Sequence, residues 1–354
     1  MKILKIICMM GFLSLWMFCS SGSSNTDAAG EPDGKNRAVI HAKGSLYLLS
    51  YSDDGETELK KLPFYCYRGV IENNRTLYTL SAGEEESTIA RYDLGSEINK
   101  TAEFSLQDRG LRCLFVKDQN LYLGSKDLWH IDFNADPPAT KQYKKIPPDY
   151  AKDNPDEAYM FEDKTIDSLA VSGDTLFAAD NVMEPIYLLL YNVSNPRKPV
   201  HITTKHLQDD VNEWVRGSDA DDKHYLMLRS FSRMDGSGFE IDVYEAGSMQ
   251  VITRRAVYMS RQEPSEKRAW NNAVLAEDRV FVAADNQGLA SFEIAEKSSF
   301  EIVEGETPCR WIKKDGKFLL SLTGNSVIVY TLGDGGKLTL LSKTELPEEC
   351  TEIW

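Results

Sequence analysis

Cys350-Thr351-Glu352-Ile353-Trp354, the tail of the chain, reads as the first strand of a repeat with nothing following it. Ala38-Val39-Ile40-His41, close behind the N-terminal leader, reads as a second strand with no first strand before it. The two ends complete one another. "SLYLLSYSDDGETELKKLPFYC" (Ser45 to Cys66) matches "SVIVYTLGDGGKLTLLSKTELPEEC" (Ser326 to Cys350) in its succession of strand, turn and strand. Ser45 to Leu62 are therefore expected to be the third and outer strands of a unit whose inner strand comes from the tail. A ring of repeats closed in this way keeps only short, protected sheet edges, which is the architecture of a β-propeller.

Working outward, one motif recurs: a short apolar strand, a polar turn, then a strand with an aromatic between apolar residues. It stands as "CLFVKDQNLYLGS" from Cys113, "SLAVSGDTLFAAD" from Ser168, "NAVLAEDRVFVAAD" from Asn272 and "CRWIKKDGKFLLSL" from Cys309, with a degenerate copy, "CYRGVIENNRTLYTL", from Cys66. Matching first-strand positions are Cys66, Cys113, Ser168, Asn272, Cys309 and Cys350, separated by 47, 55, 104, 37 and 41 residues. The gap of 104 holds two repeats, the hidden one starting near Trp214. The reading is all-β: seven blades of four strands each, at the period of roughly 40–50 residues found in propellers. The propeller is expected over 37–354, after a leader at 1–24 and a linker at 25–36.

The 354 residues suit one all-β ring. Hydrophobic content of 42% and charged content of 27% are those of a globular chain with a sizeable core. Net charge is −15, and loss of Lys2 and Lys5 with the leader leaves −17. Nucleic acid and anionic membrane surfaces are thereby disfavoured, because no positive field is available to neutralise phosphate. A monomer is expected.

Lys2 and Lys5 precede an apolar run, Ile6 to Phe18, too short to span a bilayer. Cys19 follows, then Ser-Ser-Gly-Ser-Ser-Asn. This resembles a bacterial lipoprotein signal, which implies lipidation of Cys19 and anchoring in the cell envelope (outer membrane or periplasm). Phe18 departs from it, standing where that signal carries a small residue; ordinary cleavage near Ser21 to Ala29, with secretion, is the competing reading.

Blades four and six resemble LVIVD-type propeller repeats of exported bacterial proteins. "LFAADNVMEPIYLLLYNVSNPRKPV" (Leu176 to Val200) carries the Ala-Asp strand end and Ser194-Asn195-Pro196; "VFVAADNQGLASFEI" (Val280 to Ile294) lacks the latter. The resemblance covers about a fifth of the chain, and such propellers host many functions.

Blade-joining loops and those between second and third strands should share one face, and the long insertions fall there. Pro147 to Thr165 carries Asp149, Asp153, Asp156, Glu157, Glu162 and Asp163 with Tyr150, Tyr159 and Phe161; Ser230 to Gly238 and Ser260 to Lys267 add two more loops. Such clustering marks a binding side. Cys66, Cys113, Cys309 and Cys350, with Ser168 and Asn272 at matching positions, are expected around one mouth of the central channel. Packed thiols, disulfides and a thiolate metal site all remain open. Asp180-Asn181 and Asp285-Asn286 offer oxygens for calcium, as in lactonase-like propeller hydrolases, and are equally ordinary turn residues. His41, His130, His201, His206 and His224 are scattered, and no nucleophile elbow, phosphate loop or dinucleotide fingerprint occurs. Two functions follow as expectations: a non-catalytic envelope protein, without cofactor, that binds a protein or glycan through its loop-bearing face, or a calcium-dependent hydrolase with a site at the channel mouth.

Overall fold

Strand residues here are apolar on both sides, because each sheet is sandwiched between two others. Ser45–Tyr51, Asn120–Gly124 and Phe318–Thr323 are buried along their whole lengths. Such continuous burial belongs to strands covered on both faces. A computed structural model describes residues 34–83, 86–145, 148–153, 155, 164–181, 186–208, 213–233, 236–259, 270–295, 301–304 and 308–354.

Seven four-stranded antiparallel sheets form the blades. From channel to rim, blade two comprises Arg68–Glu72, Thr76–Ala82, Ser87–Leu94 and Ile98–Leu106. Blade three comprises Cys113–Lys117, Asn120–Gly124, Leu128–Asp132 and Ala139–Tyr143; blade four, Thr165–Ser172, Thr175–Asn181, Ile186–Asn192 and Val200–Gln208. Blade five, the one hidden in the sequence, runs Glu213–Ala220, His224–Arg233, Gly236–Glu245 and Val251–Met259. Blade six has Ala273–Ala276, Arg279–Ala283, Leu289–Glu293 and Glu301–Glu304; blade seven, Trp311–Asp315, Phe318–Thr323, Ser326–Gly333 and Lys337–Glu345.

Blade one is composite. Its inner strand is Cys350–Ile353, followed outward by Asn36–Ala42, Ser45–Tyr51 and Thr57–Lys61. Ile40 pairs with Ile353 and His41 with Glu352, while Val39 and Trp354 exchange N–H···O bonds of 3.1 and 2.8 Å. The ring closure is thus a backbone ladder as well as an apolar contact. Beside it, a Cβ on Gly69 would lie 2.8 Å from the Trp354 ring, so only glycine lets blade two approach the tail this closely.

Alternate side chains along a strand enter opposite seams. Tyr225 and Met227 pack toward blade four, whereas Leu226 and Leu228 pack toward blade six. Outer strands such as Thr57–Lys61 and Lys337–Glu345 are largely exposed and carry lysine, which blunts them against edge pairing.

Candidate functional site

Because each inner strand runs from the loop-bearing face to the opposite one, the residues at its leading end sit at the loop-bearing mouth. Cys66, Cys113, Cys309 and Cys350 all occupy such leading ends, yet their sulfurs are dispersed. Cys66 packs in the seam of blades one and two, Cys113 in that of three and four, Cys309 in that of six and seven, Cys350 in that of seven and one. All four are free thiols. Burial pushes Cys66 up to about 12 and Cys350 up to about 11, and raises Cys113 as well, so none of these three is thiolate at neutral pH.

The matching positions are staples between blades. Ser168 lies inside its strand, which starts earlier than its sequence indicated, just after a register shift; its hydroxyl meets Ser218 Oγ of blade five at 2.6 Å. Asp219 accepts the Leu275 amide of blade six at 2.7 Å. Asn272 donates to Ile312 O at 2.6 Å and accepts Ile312 N at 3.0 Å, binding blade six to seven. Cys113 Sγ donates to Ile166 O at 3.5 Å. This ring of residues is a structural collar.

The two Asp-Asn pairs have local duties. Asp180 is fully buried; its Oδ1 accepts the Tyr187 amide at 2.9 Å, and its Oδ2 has no hydrogen-bond partner among the described residues. Burial raises its carboxyl to about 6, opposed by Lys164 and Lys145. Asn181 ends the same strand, and its side chain lies outside the described residues. Asp285 adopts a positive φ of 43° in a turn, accepts the Cys309 and Gly288 amides through its carbonyl, and leaves Asn286 exposed. Among the described residues no group of three or more His, Cys, Asp or Glu is placed to hold a metal ion. Of the acidic insertion, a helix at Pro148–Asp153 is described; residues 147, 154 and 156–163 lie outside the described residues, as do 260–267, and the expected loop from Ser230 to Gly238 is strand up to Arg233 and again from Gly236, with 234–235 outside the described residues.

A different set of side chains converges at the loop-bearing mouth of the closure. Tyr65 and Tyr67, on the connection from blade one to blade two, are 52% and 42% exposed. Among the described residues, the other large exposed apolar side chains lie on outer strands of blades four to seven. His41 stands beside Tyr65, with ring centroids 5.4 Å apart, and beside Trp354, at 5.3 Å. Its Nε2 meets Tyr65 Oη at 2.8 Å and its Nδ1 meets Thr351 Oγ1 at 2.8 Å, while Thr351 Oγ1 donates to His41 O at 3.3 Å. These bonds form one consistent relay when Nδ1 carries the proton and Nε2 accepts from Tyr65. Burial, ahead of the opposing pull of Glu352, lowers the His41 pKa, which favours this neutral ring. Arg68 pairs with Glu352, which also accepts from Trp354 Nε1 at 3.0 Å, and the Arg68 guanidinium lies 5.3 Å from the Tyr67 ring centroid. The result is an aromatic shelf with a fixed guanidinium–carboxylate pair at its edge. Sequence reading missed it because its members are single residues from positions 41, 65–68 and 351–354. The one local signal is the exposed pattern Tyr65-Cys66-Tyr67.

No family model matches the chain, and no curated protein does. Solved structures match it in fold. A protein from Lactobacillus plantarum aligns at 14% identity with a TM-score of 0.60, over 90% of this chain and 98% of that one. The periplasmic gluconolactonase of Pseudomonas aeruginosa aligns at 14% identity and 0.55, over 90% and 98%. AztD from Citrobacter koseri aligns at 12% and 0.54, over 90% and 96%. At such identities the likeness shows the fold. The chain is a seven-bladed β-propeller.

Proposed function

We propose that this propeller is a non-catalytic, exported protein of the bacterial cell envelope that binds a partner through its loop-bearing face, and that the partner is a glycan. The shelf of Tyr65, Tyr67, His41 and Trp354 carries this reading. Sugar rings present C–H faces that pack on aromatic rings, and their hydroxyls pair with a fixed carboxylate and guanidinium such as Glu352 and Arg68. Amphipathic aromatics with few rotatable bonds, held in place by the His41 relay, lose little entropy on binding. The hydrolase reading has less support, since Asp180 is turned into a seam and Asp285 shapes a turn.

A glycan array followed by calorimetry tests this. Tyr65→Ala and Tyr67→Ala should each weaken the bound glycan about tenfold, near 1.4 kcal/mol. Affinity unchanged in both variants, or retention of an envelope protein with no glycan retained, overturns it.

The address rests on the leader: Lys2, Lys5, the apolar run and Cys19 with its Ser-rich tether support export with a lipid on Cys19. Labelling with a palmitate analogue should mark the wild-type protein and leave Cys19→Ala unmarked. An unmarked wild type means ordinary secretion.

A further inference from the structure

The mouth of the channel opposite the loop-bearing face holds a cleft of about 380 Å³. That size is within the roughly 300–1,000 Å³ of small-molecule sites. Its polar lining comes from three consecutive blades: Arg37 of blade one, the Asn73-Asn74 turn of blade two, and Lys313, Lys314 and Asp315 of blade seven. Arg37, Lys313 and Lys314 line it with one carboxylate, Asp315, in a chain whose net charge is −15. The formal charge of its lining is therefore opposite in sign to that of the whole chain.

Arg37 is held in place, and the nearby carboxylates are occupied. Arg37 is 7% exposed; its Nη1 donates to Asn74 O at 2.5 Å, and its amide donates to Asn74 Oδ1 at 3.1 Å. Asn74 Nδ2 in turn donates to Asn36 Oδ1 at 3.1 Å. Asn73 and Asn74 both adopt positive φ, 52° and 54°, a tight turn that fixes the wall of the cleft. Asp315 accepts the Tyr51 hydroxyl. Glu72, next along the chain from Asn73, accepts Tyr78 Oη at 3.0 Å and the Gln119 amide at 2.9 Å. The charges that oppose the two lysines are carboxylates already engaged elsewhere: Asp315 for Lys313, and for Lys314 Asp219 of blade five, which accepts the Leu275 amide. Burial pushes Lys313 down to about 8, ahead of the opposing pull of Asp315. A partly buried cation whose one opposing carboxylate is shared with a tyrosine hydroxyl is costly, and a bound anion relieves that cost.

We infer that the cleft bounded by Arg37, Lys313 and Lys314 binds a small organic polyanion, a phosphorylated or multiply carboxylated metabolite of about sugar size. Lysines engage oxyanions as point charges, and the guanidinium edge gives direction. Asn73 lines the same cleft, where a hydroxyl group of the ligand would lie. This site is independent of the glycan shelf at the other mouth.

Calorimetry of the purified full-length protein at low salt, with inorganic pyrophosphate, citrate and glucose as separate probes, tests the assignment. Saturable binding of pyrophosphate or citrate, absent for neutral glucose and weakened by salt, is expected. Which of the two binds separates the phosphoryl from the carboxylate source. Lys313→Gln/Lys314→Gln should bind at least about tenfold more weakly, the size of one lost charge-assisted hydrogen bond. If that variant melts early, Lys314→Gln alone, which leaves Lys313 in place, should show a loss in the same direction. Failure of both anions to bind, or unchanged affinity in folded variants, overturns the inference. Neither outcome bears on glycan retention, which is read with neutral sugars.

Discussion

The seams that close the ring and the seams that flank blade four are built from different chemistry. Where blade seven meets blade one, Ala38, Ile40, Leu49, Phe318, Leu320, Val329 and Ile353 form an almost wholly apolar core. Between blades four and five, Phe177 stacks on Tyr225 at 4.6 Å, but above them lies Arg229, fully buried. It donates to Glu240 Oε1 at 2.8 Å and Asp242 Oδ2 at 2.6 Å; Arg254 and Tyr244 complete Asp242 at 2.7 and 3.0 Å. Between blades three and four, Lys145 Nζ reaches Lys164 O at 2.7 Å, and Asp127 accepts Lys144 Nζ at 2.8 Å and the Lys145 amide at 2.9 Å, near buried Asp180. An apolar seam gains with area and tolerates detail, whereas a buried charged seam stands only while every partner is present. The ring is therefore closed by bulk burial and kept in register, beneath its longest loops, by charge pairing.

Deleting Glu349 to Trp354 is the largest test of this contrast. Blade one loses its inner strand, and blades seven and two lose a packing face; the truncated protein should aggregate or melt far below the wild type. Unchanged melting means that the tail does not close the ring. Next in size is Arg229→Met, which leaves Glu240 and Asp242 buried with fewer cations and should cost about 3–5 kcal/mol in urea unfolding. Replacing Arg229, Glu240 and Asp242 together by apolar residues of similar volume should recover most of that loss. A triple variant no better than the single one shows that packing, not charge pairing, governs the seam.

The smallest effect is a pH dependence. Asp180 has its pKa raised from 3.8 to about 6 by burial, so the folded state holds its proton more tightly than the unfolded state does. Its contribution is fully present below pH 4 and is lost as pH rises through about 6, worth up to about 3 kcal/mol. Asp180→Asn, whose Oδ1 can still accept the Tyr187 amide, should therefore gain stability over the wild type as pH rises from about 4 to about 7. An equal slope in the two proteins, measured by thermal melts across that window, removes Asp180 as a source of strain.

The seven-blade count and the closure were legible because both rest on alternation and turn residues, which are local. Blade five alone read as a gap, and its residues explain why. Arg229, Glu240 and Asp242 occupy buried positions in its second and third strands, so the apolar rhythm is interrupted where the structure pairs charges instead. Asp180 and Asp285, from their shared place in two blades, read either as oxygen ligands or as ordinary turn residues, because whether such a carboxylate points into the channel or into a seam depends on strand twist and neighbouring side chains.

By itself the sequence determined the ring, its order of blades and the composite first blade. These follow from periods of two within strands and of roughly forty between blades, which any single stretch of chain displays. Only the tertiary structure decided the sites. The aromatic shelf joins residues 41, 65–68 and 351–354, and the basic cleft joins 37, 73–74 and 313–315. A propeller mouth takes one or two residues from each blade, so its chemistry has no spacing along the chain and exists only once the ring has closed.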